Sequence, residues 1–160
     1  MKKKYTYVAL ILIVLVLISF SIDYTYNKYK NLKLKEPVIR GKLSEIKTPE
    51  ELDFYITENN NIIIYISNND EESRNFEYSF KKYLNKKKNN NDFIFYNIMD
   101  LNKEEIINNL NKKIKDGKIR NLPAFIIVKD KIFMSSLDNN NHDLTINKVN
   151  DFIKGFNIEK

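Results

Sequence analysis

The run Ile62-Ile63-Ile64-Tyr65-Ile66 constrains this chain more than any other stretch. It is too short for a helix, and its β-branched residues suit a strand buried on both faces. A polar loop follows, and then Phe76, Phe80, Tyr83 and Leu84 recur at helical spacing from Glu71 to about Lys87. Acidic Glu71 and Glu72 at the start and lysines at the end complement a helix dipole, and the aromatic stripe reads as core packing. In open α/β sheets, ligands and chemistry sit just beyond the carboxyl end of such a strand. Here that place holds Asp70-Glu71-Glu72-Ser73, with no cysteine, histidine or glycine-rich loop.

The remaining pattern alternates in the same way. Val38 to Ile46 could supply a short first strand. Thr48-Pro49-Glu50-Glu51 is a helix start, with Thr48 as cap, Pro49 in the first turn and Glu51 closing a capping box. Asp92 to Met99 reads as a strand. Asp100 to Lys115 reads as a helix with Leu101, Ile106, Ile107, Leu110 and Ile114 on one face, closed by Gly117. Phe125 to Val128 and Ile132 to Met134, joined by Lys129-Asp130-Lys131, read as a hairpin. Leu144, Ile146, Val149, Phe152, Ile153 and Phe156 complete an amphipathic closing helix. Strands alternating with helices before a late hairpin give an α/β fold with a mixed central sheet flanked by helices in three layers.

Ahead of this pattern lies a different kind of sequence. Residues 1–4 form a basic stub, and Tyr5 to Ile22 carries no charge. At about 1.5 Å per residue that stretch spans roughly 27 Å, enough for the hydrocarbon core with tyrosines at both interfaces. Phe20 and Ile22 flank Ser21, so the small-residue site of a cleaved signal peptide is missing and a retained transmembrane signal-anchor is expected. Residues 23–37 read as a lysine-rich tether and residues 38–160 as the folded domain. The lysines before the anchor favour a cytoplasmic amino terminus and an extracytoplasmic domain. Lys28, Lys30, Lys33 and Lys35 beyond it argue the other way.

The 160-residue chain has a net charge of +6 and no cysteine. No disulfide, zinc-thiolate site or thiol redox cycle can be built from it alone. The lysines are dispersed, without an arginine stripe or stacking aromatics, so nucleic acid is not an expected partner. The runs at Asn59–Asn61, Asn89–Asn91 and Asn139–Asn141 suit loops. Asp70 and Ser73 read first as a helix cap. Ser73 as a nucleophile would need a base, and the single histidine, His142, is expected near the opposite end of the sheet, simply exposed. Asp70, Glu71 and Glu72 lack the ligand spacing and glycine of a calcium loop, and Asp138 with Asp143 offers no better. No metal or cofactor is expected.

The element order, with Pro123 immediately before the penultimate strand, resembles the thioredoxin fold. It is similar in particular to the small membrane-anchored thioredoxin-like proteins of Gram-positive bacteria, including those described as bacteriocin transport accessory proteins. In that family a strand ending near Tyr-Ile-Gly precedes Cys-x-x-Cys and a helical Phe. Tyr65-Ile66-Ser67 and Phe76 match those positions, which puts Asp70 and Ser73 where the cysteines would stand. The resemblance implies a cis peptide at Leu122-Pro123, where the plain reading is an ordinary strand start. It also implies a peptide-binding groove formed by Asp70, Glu71, Glu72, Ser73, Leu122 and Pro123. Dithiol exchange needs a nucleophilic thiolate and a resolving thiol, and Asp70 and Ser73 supply neither. The expectation is therefore a membrane-tethered, redox-inactive domain that binds a protein or peptide at the cell envelope, with no catalytic residue of its own. Two alternatives are an enzyme subunit whose thiols come from a partner, and a purely structural membrane subunit.

Overall fold

The computed structural model describes residues 14–29, 36–87 and 90–156. The chain divides into two compact units, Met1–Glu36 and Pro37–Lys160. In the first, a helix α1 at 14–29 exposes Val14, Leu17, Ile18, Phe20 and Ile22. It runs seamlessly into the stretch expected to be tether, because nothing from Ile22 to Tyr29 breaks a helix. Residues 1–4, the first half of the expected anchor at 5–13, and 30–35 of the tether lie outside the described residues. Among the described residues, no helix is long and apolar enough to cross a membrane.

The second unit has five strands: β1 (Ser44–Ile46), β2 (Asn61–Ser67), β3 (Phe93–Asn97), β4 (Ala124–Lys129) and β5 (Ile132–Asp138). Its helices are α2 (Pro49–Glu58), α3 (Glu71–Lys86), α4 (Lys103–Lys113) and α5 (Ile146–Gly155). The sheet order is β1-β3-β2-β4-β5. β1 and β2 run parallel to β3, whereas β4 runs antiparallel to both β2 and β5.

Strand periodicity sorts the core into two chemically distinct layers. Ile62, Ile64 and Ile66 face one way with Ile94, Ala124 and Ile126, and pack against Leu52 and Ile56 of α2 and Ile106 and Leu110 of α4. Ile63 and Tyr65 face the other way with Phe93, Phe95 and Phe125, against Phe76, Phe80 and Leu84 of α3 and Val149 and Ile153 of α5. The aromatic rings are thus concentrated between the sheet and α3. Tyr65 lies 5.0 Å from Phe80 and 5.0 Å from Phe125, centroid to centroid.

Several boundaries differ from the sequence reading. Residues 38–43 form turns with Gly41 at φ +72, so β1 begins only at Ser44. Asn102 caps α4 through the amide of Glu105, which leaves Asp100 and Leu101 outside that helix. The same helix ends at Lys113, before Gly117. Gly117, at φ +82, instead runs beside β5, where an added Cβ would meet Ser136 Oγ at 3.0 Å and its carbonyl oxygen at 3.1 Å. The adjoining Lys115 and Asp116 amides donate to the Phe133 and Met134 carbonyls, and thereby cover the outer edge of β5.

Candidate functional site

At the carboxyl end of β2, Ser67 is fully buried and Asn69 takes a left-handed conformation at φ +59. Asp70 then caps α3, its Oδ1 accepting the Ser73 amide at 2.9 Å. The Ser73 side chain is buried, and its hydroxyl donates to Asn68 Oδ1 at 3.4 Å. The buried hydroxyl is thus engaged by Asn68 and the Asp70 carboxylate by the Ser73 amide, an arrangement that serves as a helix cap. Glu71 is exposed and Glu72 half-exposed.

The antiparallel register pairs Ile66 with Ala124, which brings Pro123 to the level of Ser67, just ahead of Asp70. The Leu122-Pro123 peptide is cis. Both side chains are buried, with Leu122 in the aliphatic core layer. The groove expected at Leu122 and Pro123 would therefore be met through their backbone rather than their side chains, with the exposed Asn121 beside it. Asp138, at the end of β5, holds this loop: its Oδ2 accepts the Arg120 amide at 2.7 Å and the Asn121 amide at 3.3 Å. Asp138→Ala is expected to cost about 1–2 kcal/mol in a urea titration and to speed amide exchange at Arg120 and Asn121 selectively.

His142 is not at the far end of the sheet. The β5–α5 connection returns to the amino end of α3, where His142 Nδ1 meets Glu72 Oε1 at 2.9 Å and Asn139 Nδ2 donates to Glu72 Oε2 at 3.2 Å. Asp143 pairs with Lys148 and Asp138 is occupied by backbone amides, so the two do not form a cation site together. Among the described residues, no cluster of three or more His, Asp or Glu could hold a metal ion.

Sequence reasoning missed Glu77. Its carboxylate is fully buried beneath the loop. It accepts the Tyr65 hydroxyl at 3.1 Å, the Ser67 hydroxyl at 3.0 Å and the Val38 amide at 2.7 Å. The Ile39 amide also donates to it. Burial pushes the Glu77 carboxyl above its ordinary value, and these hydrogen bonds pull in the opposite direction without cancelling the rise. Burial first, then the adjacent Glu77 charge, raises the Tyr65 phenol well above 10.0. The spacing Ser73-Phe76-Glu77-Phe80-Leu84 was the available signal, because it puts a carboxylate inside the apolar stripe of α3.

Strand order, helix placement and the proline before β4 together decide the architecture. The fold is thioredoxin-like. A mutant thioredoxin from Halobacterium salinarum superposes with a TM-score of 0.51 at 13% identity, covering 73% of this chain and 91% of that one. A second protein with a thioredoxin fold gives 0.51 at 16% identity, over 72% of this chain and 97% of that one. A chain from work on thiol resolution in yeast mitochondrial 1-Cys peroxiredoxin gives 0.50 at 15% identity, over 71% and 94% respectively. No protein family and no curated protein matches the sequence. These identities speak for shared backbone architecture alone. The thioredoxin-like domain has no cysteine, so it cannot carry out thiol-disulfide exchange by itself.

Proposed function

We propose that this chain is a membrane-tethered, redox-inactive thioredoxin-like protein that binds an extended protein or peptide segment at the cell envelope. Asp70 and Ser73 are the vestiges of the two thiol positions. The observation that carries the reading is the register that sets the cis Leu122-Pro123 peptide level with Ser67, at the mouth of the Asp70–Ser73 loop. A partner strand lying across that mouth would pair with main-chain groups around Asn121 and Leu122 and pass over Glu71 and Glu72. The uncharged stretch from Tyr5 to Ile22 supports a single-pass anchor, and the leading lysines support an extracytoplasmic domain. Both features fit the resemblance to membrane-anchored accessory proteins of export or envelope assembly.

A photo-crosslinking residue tests the binding reading, and the burial of Leu122 moves it to the exposed Asn121 and Glu71. In membranes holding the full chain, both positions are expected to capture the same adduct, while exposed Lys112 on α4 captures none. A purely structural subunit would give adducts at Lys112 and none at the loop. A reporter fused after Lys160 is expected to be active outside the cytoplasm, and activity only inside would overturn the assigned orientation.

A further inference from the structure

Glu77 stands between the entrance of the folded domain and its loop mouth. The domain begins at Pro37, and residues 37–43 form a strap of turns ahead of β1. Ile39 seats that strap in the aromatic layer, buried to 1% exposure. The strap backbone is held separately. The Val38 amide donates to Glu77 Oε2 at 2.7 Å, and the Ile39 amide donates to the same carboxylate. Oε1 accepts the hydroxyls of Tyr65 at 3.1 Å and Ser67 at 3.0 Å, both from β2. Every group that these bonds bring to Glu77 is a donor, so one buried carboxylate fastens the strap to the end of β2.

Ser67 carries the link onward. A serine hydroxyl has one proton and two lone pairs. With the proton committed to Glu77, the lone pairs are left for the Asn69 amide, which donates to Ser67 Oγ at 3.1 Å. Asn69, at φ +59, is where the chain turns from β2 towards Asp70 and α3. Its side chain donates to Met99 Sδ at 3.7 Å and accepts from Arg74 Nη1 at 3.1 Å, which fixes the turn against β3 and α3. Hydrogen bonds thus run unbroken from the strap amides through Glu77 and Ser67 to the loop mouth. Bonds in such a buried series polarise one another, so losing one end weakens the rest.

We infer that Glu77 is a positioning residue that makes the entry strap a regulator of the loop mouth, which stays ordered while the strap amides are seated on the carboxylate and loosens when they leave it. This role rests on the proposed binding at that loop, whereas the link itself is read without any partner. Val38→Pro deletes the strap donor at the second position of the turn that the Arg40 amide closes on the Pro37 carbonyl at 3.1 Å, a position proline favours. Amide hydrogen exchange on the full chain in detergent micelles should quicken about tenfold at Asn69. No matching change is expected at the buried Ile94, on a strand paired at both edges, which reports global unfolding. Ser67→Ala should quicken Asn69 by itself, and adding Val38→Pro should change little more, because the series is already cut. Glu77→Gln gives a second route: its amide must donate to a hydroxyl, so Ser67 turns and Asn69 should quicken at least threefold. The inference is overturned if Asn69 keeps its parental rate in Val38→Pro, if Ile94 quickens as much, or if Val38→Pro acts undiminished in Ser67→Ala. Crosslinking from Asn121 should fall about threefold in Val38→Pro, and a yield that does not fall would overturn the regulatory role. A parent chain without any adduct, the exchange pattern intact, would sink the loop binding and leave the link supported.

Discussion

Phe80→Ala is expected to lower the unfolding free energy by about 3–5 kcal/mol, the largest loss from any single truncation on the sheet face covered by α3. The ring is fully buried, with centroids 5.0 Å from Tyr65, 5.3 Å from Phe125, 5.6 Å from Phe76 and 5.9 Å from Phe93. Its interplanar angle of 88° with Phe125 is the edge-to-face arrangement that aromatic quadrupoles favour. Alanine would leave a void that four rigid rings cannot collapse to fill. Small domains are stable by only about 5–15 kcal/mol, so this change removes a large share of the total. Phe54→Ala, on a side chain 68% exposed, serves as the control and should stay within about 0.5 kcal/mol. Urea titrations followed by circular dichroism separate the two, and a Phe80→Ala loss below about 1 kcal/mol would show that α3 is not docked as described.

Glu77 should give the second largest effect, and one that depends on pH. Glu77→Ala removes the shared acceptor of two buried hydroxyls and of the Val38 and Ile39 amides, at an expected cost of about 3 kcal/mol or more. Glu77→Gln keeps a carbonyl acceptor and can donate to a hydroxyl, so it should stay within about 1 kcal/mol of the parent near pH 7. Burial lifts the folded-state pKa of Glu77 above its ordinary 4.5, so the folded protein holds that proton more tightly than the unfolded chain does. The residue's contribution is therefore most favourable below about pH 4.5 and declines as pH rises through the folded-state value. Glu77→Gln has no such decline, so its stability relative to the parent should improve as pH rises from about 4 through the folded-state value of Glu77 and then level off. An unchanged difference across that range would mean that Glu77 does not titrate in a buried site.

Much of this architecture is legible in the sequence because period-2 and period-3.6 patterns dominate it. The alternation across Ile62–Ile66 encodes two sheet faces, and Thr48 and Asp70 announce the starts of α2 and α3 by cap chemistry. What was not legible depends on tertiary placement. Nothing local says that Gly117 lies against Ser136 rather than closing a helix, because only the path of β5 decides it. His142 sits in a polar loop whose return towards Glu72 depends on where β5 ends. The expected groove drew on the backbone at Leu122, and the burial of that side chain follows from its place in the sequence. Leu122 precedes a core strand, and the same apolar pattern that marks β4 draws Leu122 inward. Glu77 was missed because a lone carboxylate on a long helix ordinarily reads as surface, although its neighbours are all core residues.

We propose, centrally, that a thioredoxin-like scaffold without cysteine engages a partner by non-covalent contact at the loop mouth. Crosslinking from Asn121 and Glu71, repeated after every thiol in the membranes has been alkylated, tests it most directly. The account predicts the same adduct in undiminished yield. Loss of the adduct on alkylation would contradict it, and would show that capture depends on thiols supplied by another chain.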